Sequence, residues 1–258
     1  MTKSSGIGMR LYLQGLDLSG DVGAINTIRA SRSVLDVTGI DKGGIERILA
    51  IGDGEISFNT FFNDGAAANR AGATGSSFLA LSALPTTDVI AMVLKGTTAG
   101  DAVFCLSAKQ VNYDWTRGQD GSLVGTIQLL GAAGVPLEFG KLLVAKTTHA
   151  SATDQTGIDF GAQTTSGAVG YLQHFSAATG TVEYDLEDSA NSTNGVDGSW
   201  ANLLAFSDVA TPYAAIAQRV EVSGTVDRWT RASTNGTFTN AVFAMALRRR
   251  EATDIDAA

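Results

Sequence analysis

Asp53-Gly54-Glu55-Ile56-Ser57-Phe58-Asn59-Thr60-Phe61-Phe62 is the stretch whose reading decides the fold. The Asp-Gly pair makes a turn, and the residues after it alternate. Ile56, Phe58, Thr60 and Phe62 share one face, while Glu55, Ser57 and Asn59 share the other. This period of two is the mark of a strand with one face in a core. Upstream, Leu35-Asp36-Val37-Thr38-Gly39 reads as a strand end passing into a polar loop, and a basic-acidic connector from Lys42 to Arg47 lies between the two pieces.

The same alternation, punctuated by Gly, Asn, Asp and Ser, recurs along the chain and predicts an all-β protein. Expected strands are Met9–Leu13, Asn26–Ser31, Glu55–Phe62, Asp88–Leu94, Ala102–Leu106 and Gln110–Asp114. They continue with Leu123–Leu130, Ala168–Phe175, Thr181–Leu186, Gln218–Val222, Thr225–Ala232 and Thr237–Leu247. One short helix is expected over Ser76–Leu84, with serine hydroxyls to cap it and Pro85 just beyond. Ser223-Gly224 and Asn235-Gly236 each join alternating runs, so the last three strands are expected to form a meander. A run of small polar residues from Thr147 to Gly157 marks a boundary. It divides the chain into 1–150, an antiparallel β-sandwich or split barrel with the helix, and 151–258, a second β-sandwich domain.

Composition narrows the function classes. In 258 residues, 44% hydrophobic with 30 Gly and 3 Pro, the chain is long enough for a sizeable core and rich in turns. The longest apolar runs, such as Val89–Leu94, are strand-length, so no membrane span is expected. Nothing in Met1–Leu16 reads as a signal peptide. The single cysteine, Cys105, sits in an apolar run and reads as a buried small hydrophobe in a protein made in a reducing cytoplasm. A net charge of −8 argues against nucleic-acid or anionic-membrane binding. Ordinary solubility accounts for it; so does a surface built to let DNA slide past without holding it.

Catalytic chemistry is thin, and we assign no catalytic, cofactor-binding or metal residues and no cofactor. There are two histidines, His149 in the boundary segment and His174 in a strand, and no Cys/His cluster. Gly6-Ile7-Gly8 lacks the strand and helix that a dinucleotide site needs. Glu183, Asp185 and Glu187 fall on one strand face near Asp188 and Asp197, but without calcium-loop spacing they read as a solvated outer face. Arg248-Arg249-Arg250, followed by acidic residues, reads as edge protection or an intersubunit ion pair. Trp115, Tyr184, Trp200, Tyr213 and Trp229 are scattered at strand positions and read as core or hairpin pairs before a sugar-stacking platform.

The order of several elements resembles the tail tube (major tail) proteins of long-tailed bacteriophages, especially those infecting actinobacteria. Over residues 9–145 the elements are Leu11-Tyr12-Leu13 with Leu16–Ser19, the Leu35–Gly39 element, the Asp53–Phe62 strand, and Leu123–Gln128 leading into Leu137–Gly140. In the second half, Tyr171–Phe175, Val182–Ser189, Trp200–Leu203 and Arg228–Arg231 are similar to the C-terminal sandwich of those proteins. The resemblance implies a structural virion protein, not an enzyme, that stacks as rings into the hollow tube through which DNA passes during ejection. Implied partners are copies of itself in a trimeric or hexameric ring, tape-measure and tail-tip proteins, and DNA transiently in the lumen without specific binding. It implies a place in the virion tail after assembly in the host cytoplasm, with no membrane binding.

Sheet edges pairing between subunits would close the ring, and Gly39–Gly54 and Asp64–Ser77 are the loops expected to reach a neighbouring ring. The second is so poor in large side chains that it is expected to order only on assembly. Glu55 and Asp120 are the acidic residues expected to face the lumen. The alternative is a virion decoration or a receptor- or carbohydrate-binding module using Trp200 or Trp229.

Overall fold

Alternation becomes strand nearly everywhere the sequence shows it. The computed structural model describes residues 5–64, 77–84, 86–210 and 215–251. In chain order its strands are β1 (Arg10–Leu13), β2 (Leu16–Asp17), β3 (Val22–Asp36) and β4 (Arg47–Phe61). After helix α1 (Ser77–Leu81) come β5 (Val89–Leu94), β6 (Ala102–Gln110), β7 (Asp114–Arg117), β8 (Leu123–Gly131) and β9 (Glu138–His149). Then follow β10 (Thr153–Asp154), β11 (Ile158–Asp159), β12 (Ala168–Ser176), β13 (Thr179–Ser189) and β14 (Ala201–Ala205). The remainder are β15 (Val209–Ala210), β16 (Ile216–Val222), β17 (Trp229–Asn235), β18 (Phe238–Thr239) and β19 (Ala241–Arg249). The protein is all-β and antiparallel, a sandwich and half-barrel of curled sheets with one short helix.

A twelve-stranded sheet runs β16-β12-β19-β9-β6-β5-β1-β2, and it forks at β6. One end of β6, Ala102–Cys105, pairs with β9; the other, Ala108–Gln110, pairs with β8. From β8 the fork continues to β7 on one side and to β4 and β3 on the other. A seven-stranded sheet, β10-β17-β13-β14 with β11, β15 and β18 at its margins, covers one face of the β12–β19 region.

Three apolar clusters hold these layers. Leu11, Leu13, Ile56, Phe58, Leu106, Ile127 and Leu129 form one inside the half-barrel. Leu172, Tyr184, Leu186, Phe243 and Met245 fill the space between the sheets. Tyr12, Met92, Cys105, Tyr171 and Phe175 pack on the opposite face of β12 and β19. Those two strands are therefore covered on both sides, which is why they read as nearly continuous apolar runs. The first sheet does not stop at residue 150: β9 runs through Thr147 to His149 and pairs there with β19.

Four expectations need correction. The final strands do not form a meander. Gly224 and Gly236 do adopt positive φ, 95° and 84°. Yet β16 pairs with β12 in the first sheet, β17 with β13 in the second, and β19 returns to the first. The turns are corners between layers, since turn chemistry fixes a reversal but not which sheet receives the next strand. The expected strand at Gln110–Asp114 is a break between β6 and β7, where the Gln110 side-chain amide donates to the Leu81 and Asn112 carbonyls. Helix α1 spans only Ser77–Leu81, and the Ser77 hydroxyl donates to the Phe61 carbonyl while Asp21 accepts the Ser77 amide. Finally, the loop expected over Gly39–Gly54 is loop only as far as Glu46, because from Arg47 onward it is strand β4. Of the other expected loop, Asp64–Ser77, residues 65–76 lie outside the described residues.

Candidate assembly surface

β3 and β4 are each fifteen residues long, twice what the sequence pattern predicts, and together they build an arm. Its base is anchored. Over Glu55–Phe61, β4 pairs with β8, and Ile56, Phe58 and Thr60 point into the core, each 0% exposed. The outer face of the base is tied by polar side chains. Arg29 and Glu55 form an ion pair at 2.6 Å, Gln128 donates to Glu55 at 2.8 Å, and Asn26 donates to Asn59 at 2.9 Å. Where the arm leaves the body, Gly54 passes so close to the core that a Cβ would lie 2.6 Å from the Leu137 backbone nitrogen.

Beyond Glu55 the two strands pair only with each other, from Ala30 opposite Gly54 to Asp36 opposite Arg47. At about 3.4 Å per residue this free section extends roughly 20 Å before the tip. The tip is a defined knot. The Asp36 carboxylate accepts from the Thr38 amide and hydroxyl, which hold its pKa below the usual carboxylate range, and Thr38 Oγ1 accepts the Glu46 amide. The Leu35–Gly39 element that stood out in the sequence is this tip.

The arm's side chains are the unusual part. Val34, Leu35, Val37, Ile40, Ile45, Ile48, Leu49 and Ile51 are all exposed, Ile51 to 79% and Ile40 fully. Two-stranded hairpins are marginal in water, and solvent-facing aliphatic clusters of this size mark interaction sites. The arm also has an open edge, because β3 pairs with β4 alone. A second exposed apolar patch lies at the end of the half-barrel. There Phe62 packs against Phe78 at 5.5 Å and Trp115 at 5.2 Å, with Phe62 and Phe78 both exposed.

The residues singled out for chemistry are not brought together. His174 is buried with Nδ1 2.6 Å from the Tyr184 hydroxyl, and burial lowers its pKa to about 4. His149 stacks on Phe243, and burial lowers its pKa as well. Glu183, Asp185 and Glu187 do lie opposite the core face of β13. There Glu187 pairs with Arg231 at 2.6 Å and Asp185 accepts from Asn202 and Asn235. No group of three or more His, Cys, Asp or Glu residues is placed to hold a metal among the described residues. Glu55 and Asp120 sit at opposite ends of the β4–β8 ladder. Glu55 is nearly buried at the arm base, and Asp120 closes the turn before β8 by accepting from Ser122.

One further expectation is overturned. Arg248–Arg250 protects no edge, since β19 lies between β12 and β9 in the middle of its sheet. Arg248 instead joins a buried cluster around Glu138, which is 0% exposed and bonded to Arg248 at 2.6 Å, Arg219 at 2.9 Å and the Tyr171 hydroxyl. Arg250 pairs with Glu221 at 2.7 Å, and Arg249 stacks over Phe160. Both tryptophans named for the alternative carry an arginine over the ring. Arg231 covers Trp200 at 4.4 Å, with Gly157 against its rim, and Trp229 is 9% exposed under Arg228.

The arm's aliphatic surface escaped sequence reasoning although a signal was present. Val34 and Leu35, like Ile48 and Leu49, are adjacent apolar pairs, and a strand with one wet face avoids them.

No protein-family model and no curated protein matches the chain. Among solved structures it is similar to a chain from the virion of a native gene transfer agent particle. That match has 13% identity, spans 52% of this chain and 98% of the other, and has a TM-score of 0.37. It is also similar to the Dit (gp 19.1) protein of SPP1, described as a paradigm of the hub adsorption apparatus in Gram-positive infecting phages. Identity there is 13%, with 93% and 98% of the two chains covered and a TM-score of 0.31. A chain of the phage p2 baseplate in its activated conformation matches at 6% identity, with 94% and 99% coverage and a TM-score of 0.31. Superpositions this loose establish no common fold, and the arm and its exposed aliphatic surface stand on their own geometry.

Proposed function

We propose that this chain is a structural virion protein of a phage-type tail, a non-enzymatic subunit that assembles with copies of itself into stacked rings forming the tail tube. The observation that carries the reading is the β3–β4 arm: about 20 Å of hairpin paired to nothing else, with aliphatic side chains that only another surface can cover. The order of sequence elements shared with tail tube proteins supports it, as does the acidic balance of −8, which suits a wall past which DNA slides. In this reading the open edge of β3 and the short edge strand β7 close a ring of three or six copies, and the arm reaches onward to the next ring. Residues 1–150 and 151–258 act as two lobes that share a sheet, and Leu143 and Val144 of the first complete the apolar cluster of the second. Tape-measure and tail-tip proteins set the tube's length and end, and the subunit assembles in the host cytoplasm.

Electron microscopy of the purified protein at rising concentration tests this. Rings or hollow tubes are expected, and their symmetry gives the copy number. Dispersed monomers at every concentration would refute it.

A further inference from the structure

The arm exposes aliphatic side chains on both of its faces. Directly opposed residues of an antiparallel pair point to the same side, and successive residues point to opposite sides. Val34 opposes Leu49 on one face, and Leu35 opposes Ile48 on the other. All four are half exposed or more, at 52, 63, 50 and 51% in that order. A hairpin that lies on a single surface keeps its outer face polar, as the base of this same arm does with Asn26, Asn59 and Glu55. The free section carries an aliphatic pair on each face, with the charged pair Asp36 and Arg47 further out on the Val34 side.

From this we infer that each arm is gripped between two other copies of the chain, one against each face. The inference rests on the self-assembly reading and specifies its geometry. Charge supports copies of this chain as the occupants. Across the free section, residues 30–54, Arg32, Lys42 and Arg47 nearly balance Asp36, Asp41, Glu46 and Asp53, so the arm carries −1 and the other −7 resides on the rest of the chain. Acidic bodies repel one another at close range, and a nearly neutral apolar arm is the part of this molecule that can enter between two of them with little like-charge penalty. The contact is heterologous, arm to body, so it propagates through an assembly instead of ending at a dimer.

Site-specific photo-crosslinking tests the count. One variant carries a photoreactive residue at Leu49, a second carries it at Ile48, and a third carries both. Each is mixed with a large excess of unlabelled wild-type chain, assembled and irradiated, after its melting temperature has been matched to wild type to show that it folds. The single-site variants should each give a two-chain product. The double variant should also give a three-chain product, at a yield close to the product of the two single-site yields. Two-chain products alone from the double variant would mean that a groove on one copy, or one neighbour, covers both faces, and would overturn the inference. Tubes without any cross-link would assign the arm to an occupant other than this chain and overturn it too, while leaving the self-assembly reading intact. Wild-type chain that stays monomeric would overturn both.

Discussion

Replacing Val34, Leu35, Ile48 and Leu49 together by serine separates assembly from folding. These side chains are 50–63% exposed, so burying what is exposed concerns about half of each. Full burial of an aliphatic side chain is worth about 1.5–3 kcal/mol, which makes the uncovered halves of four worth about 3–6 kcal/mol per arm. At 1.4 kcal/mol per tenfold, the concentration at which copies associate should rise roughly a hundred- to ten-thousand-fold. The monomer should hardly notice, because surface replacements away from caps and networks stay within about 0.5 kcal/mol each. Sedimentation velocity over a concentration series reads the first quantity, and thermal melting of dilute protein reads the second. An unchanged assembly threshold would refute the role given to the arm. A collapse of the monomer's melting temperature would show instead that the arm belongs to the core.

Two other outcomes follow from the interior. Glu138→Ala leaves the Arg219 and Arg248 guanidiniums without the buried carboxylate between them, so urea denaturation should show a loss of about 3–5 kcal/mol; a change under about 1 kcal/mol would mean that water replaces the carboxylate at no cost. Burial lowers His174 from 6.5 to about 4, so the unfolded chain takes up protons that the folded chain refuses. That stability is whole above pH 6.5, is lost as pH falls toward 4, and levels off below it. The full effect is on the order of 3 kcal/mol. His174→Gln should flatten that part of the pH dependence, and parallel curves for variant and wild type would refute it.

Where local pattern sets the structure, the sequence was readable. The core-facing half of β4 was read with its end placed to within a residue, because Ile56, Phe58 and Thr60 alternate strictly with polar neighbours and one side faces a core, though the strand begins eight residues before the expected Glu55. The placement of Glu183, Asp185 and Glu187 opposite the core face of β13 followed from the same alternation. Long-range choices were not readable. Asn235-Gly236 predicts a reversal, but whether the next strand joins its predecessor's sheet depends on β13 and β12, which take up the edges a meander would have used. Glu138 sits in an ordinary alternating run, and only Arg219 and Arg248, 81 and 110 residues away in sequence, make its burial tolerable. The arm was half legible. Its tip and base were both marked, but the stretch after Gly43-Gly44 reads as loop because its apolar residues ignore the period of two that a wet strand obeys.

The placement of β19 has a consequence for the timing of synthesis. It is the last described strand, and it inserts between β9 and β12, made about a hundred residues earlier in one case and about seventy in the other. Chains with pairings this distant fold slowly, since loop closure comes before any reward. A nascent chain that has produced β9 but not β19 therefore carries an unfilled slot in its main sheet while its sticky arm is already outside the ribosome. Chaperone demand should be greatest in that interval and should end when the final strand drops into place.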